Sequence, residues 1–180
     1  MDDIVKAAIR KWPNVPHCHD WLGLDARGDW YLRDAATQAA GPFPQSKGSR
    51  VTHGKLREFI QRNYEHDEQG RWFFQNGPQR VYVALELAPL VIGVGRQPSG
   101  VGKDAFALEA HTGRGVQEVR SCWLDECGRL YLEPEQGLGV VRSMDMDAAA
   151  DAIDALGWAP QEIMAAEIPS RFGFVLRPAP

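Results

Sequence analysis

Three segments of this 180-residue chain spell one pattern, Asp-x-x-Gly-x followed by three large apolar residues. Residues 25–32 read DARGDWYL, residues 67–74 read DEQGRWFF and residues 125–132 read DECGRLYL. Asp at the head of a turn hydrogen-bonds the backbone ahead of it, and Gly three positions on takes a positive φ that other residues resist. An apolar run before the phrase and an aromatic or aliphatic triplet after it then read as the two arms of a β-hairpin. The repeated phrase is therefore turn grammar, and it predicts three hairpins rather than three catalytic sites.

The segments around these hairpins complete the expected architecture. Residues 3–12 carry a helical stripe of Ile4, Val5, Ala8, Ile9 and Trp12 that Pro13 stops. A Gly/Pro/Ser/Lys-rich loop over 40–50 leads to a helix with Thr52 as its N-cap and Leu56, Phe59 and Ile60 facing inward. Residues 80–86 alternate like a half-buried strand, and residues 90–94, 106–110 and 137–142 read as further strands. An Ala-rich helix over 145–156 turns Met146, Ala149, Ala150, Ile153 and Leu156 inward and ends at Gly157. Residues 172–177 are expected to form a last strand. The fold class predicted is α+β, with mostly antiparallel sheets built from repeated hairpin and helix motifs in two related halves. Residues 1–95 form the N-terminal half (helix, hairpin, helix, hairpin) and 96–180 the C-terminal half, with one compact domain as the alternative.

Composition narrows the function. The net charge is −4 with basic residues spread along the chain, which argues against a nucleic-acid groove or a polybasic membrane surface. No run approaches the ~20 apolar residues of a membrane span. The acidic N-terminus is expected not to act as a signal peptide, and three cysteines (Cys18, Cys122 and Cys127) read as reduced thiols of a cytoplasmic protein. Six tryptophans are expected mostly in the core, three of them in or just before the repeated hairpins.

Residues 70–83, GRWFFQNGPQRVYV, with KWPNVPHC over 11–18, resemble a proteobacterial family of uncharacterised conserved proteins over most of the chain. The order of an Asp-Gly-aromatic strand, a helix, a Gly-aromatic strand, a Val-rich strand and Ala-Pro-Leu is more distantly similar to a second domain-of-unknown-function family. That resemblance implies a fold of repeated α/β motifs and a suggested role in signal transduction. Neither resemblance implies catalytic residues.

Candidate sites are few. His17-Cys-His-Asp places His17 and His19 on one side of an extended segment, where they are weak metal candidates that lack an evident closing ligand. Residues 93–104 contain glycines and Lys103 but miss the phosphate-loop spacing, so a linker or hairpin loop is the better reading. The turn at Gln75-Asn-Gly-Pro-Gln presents Asn76, Gln79 and Arg80, which suit a carboxylate or phosphate, with Trp72 or Tyr82 as a flat wall. The alternative at that turn is a purely structural Asn-Gly bend. The function expected is a non-enzymatic ligand-binding or regulatory module, without a cofactor, recognising a small anionic ligand or a protein partner. An enzyme whose site lies between the halves and draws on His17, His19, His53 or His66 is the alternative.

Overall fold

A computed structural model describes residues 1–98, 100 and 105–180. Among the described residues the chain is α+β, with five α-helices and two six-stranded mixed sheets whose pairs are mostly antiparallel. It divides into two compact units, one of residues 1–25, 29–87 and 173–180 and the other of residues 26–28 and 88–172. Among the described residues no helix is long and apolar enough to cross a membrane.

The first unit contains α1 (Asp3–Lys11), β1 (Cys18–Leu24), β2 (Trp30–Leu32), α2 (Ala35–Ala40), β3 (Ser49–Arg50), α3 (Gly54–Arg62), β4 (Tyr64–His66), β5 (Trp72–Asn76) and β6 (Gln79–Leu85). Its sheet runs β3-β2-β1-β6-β5-β4. The second unit contains β7 (Leu90–Arg96), β8 (Phe106–Ala110), β9 (Val119–Asp125), β10 (Leu130–Pro134), β11 (Gly139–Val141), α4 (Met146–Leu156), β12 (Gln161–Ile163) and α5 (Ile168–Arg171). Its sheet runs β12-β9-β10-β11-β7-β8.

The two sheets share one plan. A hairpin (β1-β2 or β7-β8) and a three-strand meander (β4-β5-β6 or β9-β10-β11) are joined where the meander's last strand pairs in parallel with the hairpin's first. All three repeated phrases are hairpins, pairing Leu24 with Trp30, His66 with Trp72 and Leu124 with Leu130. The topology matches the second phrase to the third, whereas the counterpart of the first is β7-β8, which carries no such phrase.

The second and third turns are chemically alike. Asp67 accepts the Gln69 and Arg71 amides at 3.1 and 3.0 Å and the Arg71 Nε at 2.8 Å. Asp125 accepts the Cys127 and Arg129 amides and the Arg129 Nε at 2.9, 2.9 and 2.7 Å. A tyrosine hydroxyl completes each node, Tyr82 at 3.3 Å and Tyr131 at 3.1 Å. Tyr131 occupies the place of Phe73, so the hydroxyl comes from the neighbouring strand in one unit and from the phrase itself in the other. Burial would raise both carboxyls, but the arginine and amide hydrogen bonds outweigh it and hold them below the ordinary carboxylate range.

Several expectations are corrected. The N-cap of α3 is His53, whose Nδ1 accepts the Leu56 amide at 3.3 Å, and not Thr52. On α1 only Val5 is buried, and Ile4 and Trp12 are exposed. On α4 the inward face is Ala148, Ala149 and Ala152, with Met146, Ile153 and Leu156 packed at its edge and Ala150 in solvent. Helix-forming alanines do not mark a face by themselves, so the sequence leaves the rotation of α4 open. β6 is buried at every position from Tyr82 to Leu85, so both of its faces are covered there and it does not alternate as a half-buried strand would.

Residues 172–177 form no strand. Gly173 takes φ +65, and the segment ties irregularly to its own unit through the Val175 amide to the Gly70 carbonyl and the Leu85 amide to the Leu176 carbonyl. Gly93 to Arg96 belong to β7 rather than to a loop, and the rest of the reading of residues 93–104 falls largely on 99 and 101–104, outside the described residues. The chain passes from one sheet to the other between β6 and β7. Trp30, Trp72 and Trp123 are buried, as the hairpins require, while Trp12 and Trp21 are exposed.

Candidate functional site

The first unit's sheet owes its shape to an irregularity in β1. Cys18 pairs with Val81 and Leu22 with Val83, so β1 takes four steps where β6 takes two. The two extra residues make a bulge, and within it Asp20 adopts φ +63, a left-handed conformation that Asp tolerates better than most residues. Arg33, 1% exposed, pins the bulge. Its guanidinium donates to the carbonyls of Asp20 (3.2 Å), Gly41 (2.6 Å) and Ser46 (3.0 Å) and lies 3.5 Å from the Asp20 carboxylate. A guanidinium this deep needs such partners to offset its lost hydration.

The bulge lets Cys18, Trp21 and Leu22 all reach one face of the sheet. There they meet Phe74 and Val81 to make the floor of a cleft of about 460 Å³. Leu56, Phe59 and Ile60 of α3 form its wall, and Trp21 and Leu32, each about half exposed, form its rim. The β5-β6 turn contributes Asn76 and Gln79 to its lining. Asn76 is exposed, while the Gln79 Nε2 donates to the Pro16 carbonyl at 2.9 Å. The other polar groups at the cleft are committed: Arg33 to the bulge, and Asp34 to the N-cap of α2 through the Thr37 amide at 2.8 Å. A volume of this size, apolar walls and a few convergent polar atoms are the properties of a small-molecule pocket.

The sequence-predicted residues are divided among three places. Asn76 and Gln79 line the cleft. Trp72 is packed between Tyr64 and His66, with ring centroids 4.8 and 4.9 Å away. Arg80 and Tyr82 alternate onto the opposite face of the sheet, where Arg80 lies 4.4 Å over the Phe73 ring. His17 and His19 also meet Tyr82, the first edge-on at 5.8 Å and the second stacked at 4.7 Å, while Cys18 turns to the cleft. Burial, helped by the Arg71 and His17 charges, lowers the His19 pKa, and its Nε2 has no hydrogen-bond partner. Among the described residues no three His, Cys, Asp or Glu side chains gather as a metal would require. His17, His19, His53 and His66 all belong to the first unit.

Trp21, Leu32, Leu56 and Phe59 were not among the residues singled out as a site. Leu56 and Phe59 stand in the expected helical stripe, so only their partial exposure was hidden. In the second unit, a cleft of about 440 Å³ runs between the end of β9 and β12, with Glu126, Glu162 and Glu167 along it. Glu126 is occupied by the Ala165 amide at 2.8 Å.

Residues 1–179 match the profile of the family DUF2944, described as "Protein of unknown function (DUF2946)", and the chain belongs to that family. Among solved structures it is similar to a DUF1285 family protein from Silicibacter pomeroyi, at 14% identity and a TM-score of 0.51, over 79% of this chain and 74% of that one. A DUF1285 family protein from Shewanella baltica is similar at 18% identity and a TM-score of 0.48, over 75% of this chain and 91% of that one. The first of these likenesses supports the fold and carries no function. No curated protein matches the chain.

Proposed function

We propose that this member of the family is a non-catalytic ligand-binding module with a regulatory or signalling role, and that the cleft beneath α3 is where it binds. The ligand is a small, mainly apolar molecule with one neutral hydrogen-bonding end. The observation that carries this reading is the combination in one cleft of apolar walls with two amide-bearing residues, Asn76 and Gln79, which are register partners across the β5-β6 turn. An anion does not suit this cleft, because its one guanidinium, Arg33, is already engaged by three carbonyls. Three free thiols suit a reducing compartment, and a cytoplasmic location is part of the proposal.

A thermal-shift screen of apolar amides, alcohols and lactones tests it. A compound that binds only the folded state adds about 2.7 kcal/mol at a hundred times its dissociation constant. Leu56→Arg, at a partly exposed wall position, is expected to abolish the shift, and Asn76→Ala to weaken binding about threefold to tenfold. Silence across the screen, or hits that survive Leu56→Arg unchanged, would refute the assignment.

A further inference from the structure

The face of the first unit's sheet opposite the cleft carries a second arrangement, of different chemistry. Cys18 pairs in parallel with Val81, and the Gln79 side chain reaches the Pro16 carbonyl at 2.9 Å, so the chain over 16–18 runs alongside 79–81. One step back from the Cys18 pair, His17 is the lateral neighbour of Arg80. One step forward, His19 is the neighbour of Tyr82, on which it stacks. Arg80 and Tyr82 pair in turn with Gln75 and Phe73. Two rows result across three strands: His17, Arg80 and Gln75, and beside them His19, Tyr82 and Phe73.

The cations of this face differ in their commitments. Arg71 lies 4.8 Å over Tyr82 and is ion-paired with Asp67 at 2.7 Å. Arg80 makes no ion pair with any described residue, and His17 makes none either. The nearby acid on β1, Asp20, is turned toward Arg33. Arg80 lies 4.4 Å over the Phe73 ring. A cation–π contact does not use up the N–H donors of a guanidinium, which remain able to fork onto an oxygen-bearing partner. His17, exposed and one strand away, adds a second nitrogen of the same preference.

We propose that Arg80 and His17, which pack on the rings of Phe73 and Tyr82, form a site for a small oxyanion, a carboxylate or a phosphate. It is independent of the apolar cleft, from which it is separated by the sheet itself. Arg80 supplies the paired donors and the charge. His17 supplies a further donor, and Arg71, neutralised by Asp67, sets the edge of the site without binding.

The test is an NMR titration of the histidine ring protons of the full chain, at neutral pH, with inorganic phosphate and separately with acetate, against sodium chloride at matched ionic strength. The expected result is a saturable shift of the His17 signals with phosphate, acetate or both, the stronger of the two naming the anion class. Arg80→Gln is expected to weaken binding at least fivefold, Arg80→Lys to retain part of it, and His17→Gln to weaken it twofold to threefold. The His19 signals and the melting temperature report whether each variant keeps its fold, and the His17 variant serves if an Arg80 variant does not. Shifts that stay linear and equal to those in chloride would overturn the site, as would saturable shifts undiminished in Arg80→Gln and His17→Gln.

Discussion

His111 shows how one partly buried histidine couples stability to pH. Its Nδ1 accepts the Val91 amide N–H at 3.2 Å, a role open only to an unprotonated nitrogen. Burial pushes its pKa down to about 3. In the unfolded chain the same ring takes up a proton near ~6.5. Between those values the unfolded state holds the extra proton, so stability is complete above ~6.5 and declines as pH falls toward the folded value. At pH 5 the loss from this group is about 2 kcal/mol relative to pH 7. Urea unfolding at the two pH values is expected to show that decline and to show it reduced in His111→Gln. An unchanged pH dependence in the variant would assign the decline to other groups. None of this was readable beforehand, because His111 stands in a short polar turn sequence and only the fold places it under cover.

At the scale of the element, the second and third turns offer a controlled comparison. Gly70 and Gly128 occupy the same place in their phrases, with φ of +71 and +73. A side chain at either position incurs roughly 1–2 kcal/mol of left-handed strain. At Gly128 an added Cβ meets nothing within 4 Å, whereas at Gly70 it would overlap the Gly173 carbonyl. Gly70→Ala is therefore expected to destabilise the protein at least twice as much as Gly128→Ala, as measured by denaturant unfolding. Equal losses would mean that the chain at residue 173 gives way freely. The turns themselves were legible because Asp and Gly act within a few residues of one another. The rotation of α4 and the bulge in β1 were not, since one depends on what packs against the helix and the other on a buried arginine that joins residues far apart in sequence.

For the whole molecule, the order of the chain and the order of its contacts differ. Residues 173–180 follow the second unit in sequence but belong to the first, where the Leu176 carbonyl accepts the Leu85 amide at 2.8 Å. A chain ending at Phe172 leaves that buried amide and the Gly70 carbonyl without these partners, a loss of order 1–3 kcal/mol for each buried group left unsatisfied. Hydrogen exchange is expected to show the Leu85 amide deprotected by the truncation, with the amides of β9 to β11 unaffected. Full protection of Leu85 in the truncated chain would show that the tail is dispensable.

The residues alone determined the three hairpins, the α+β class and the two related halves, because turn chemistry and apolar alternation are local properties. They also marked Asn76, Gln79, Arg80 and Tyr82 as neighbours in sequence worth attention. Alternation along a strand already sets Gln79 and Arg80 on opposite faces. Only the tertiary structure decided what each face meets, the cleft beneath α3 for Gln79 and the Phe73 ring for Arg80. The cleft also needed the bulge at Asp20, α3 and the buried Arg33 to be brought together, and no short stretch of sequence contains all three.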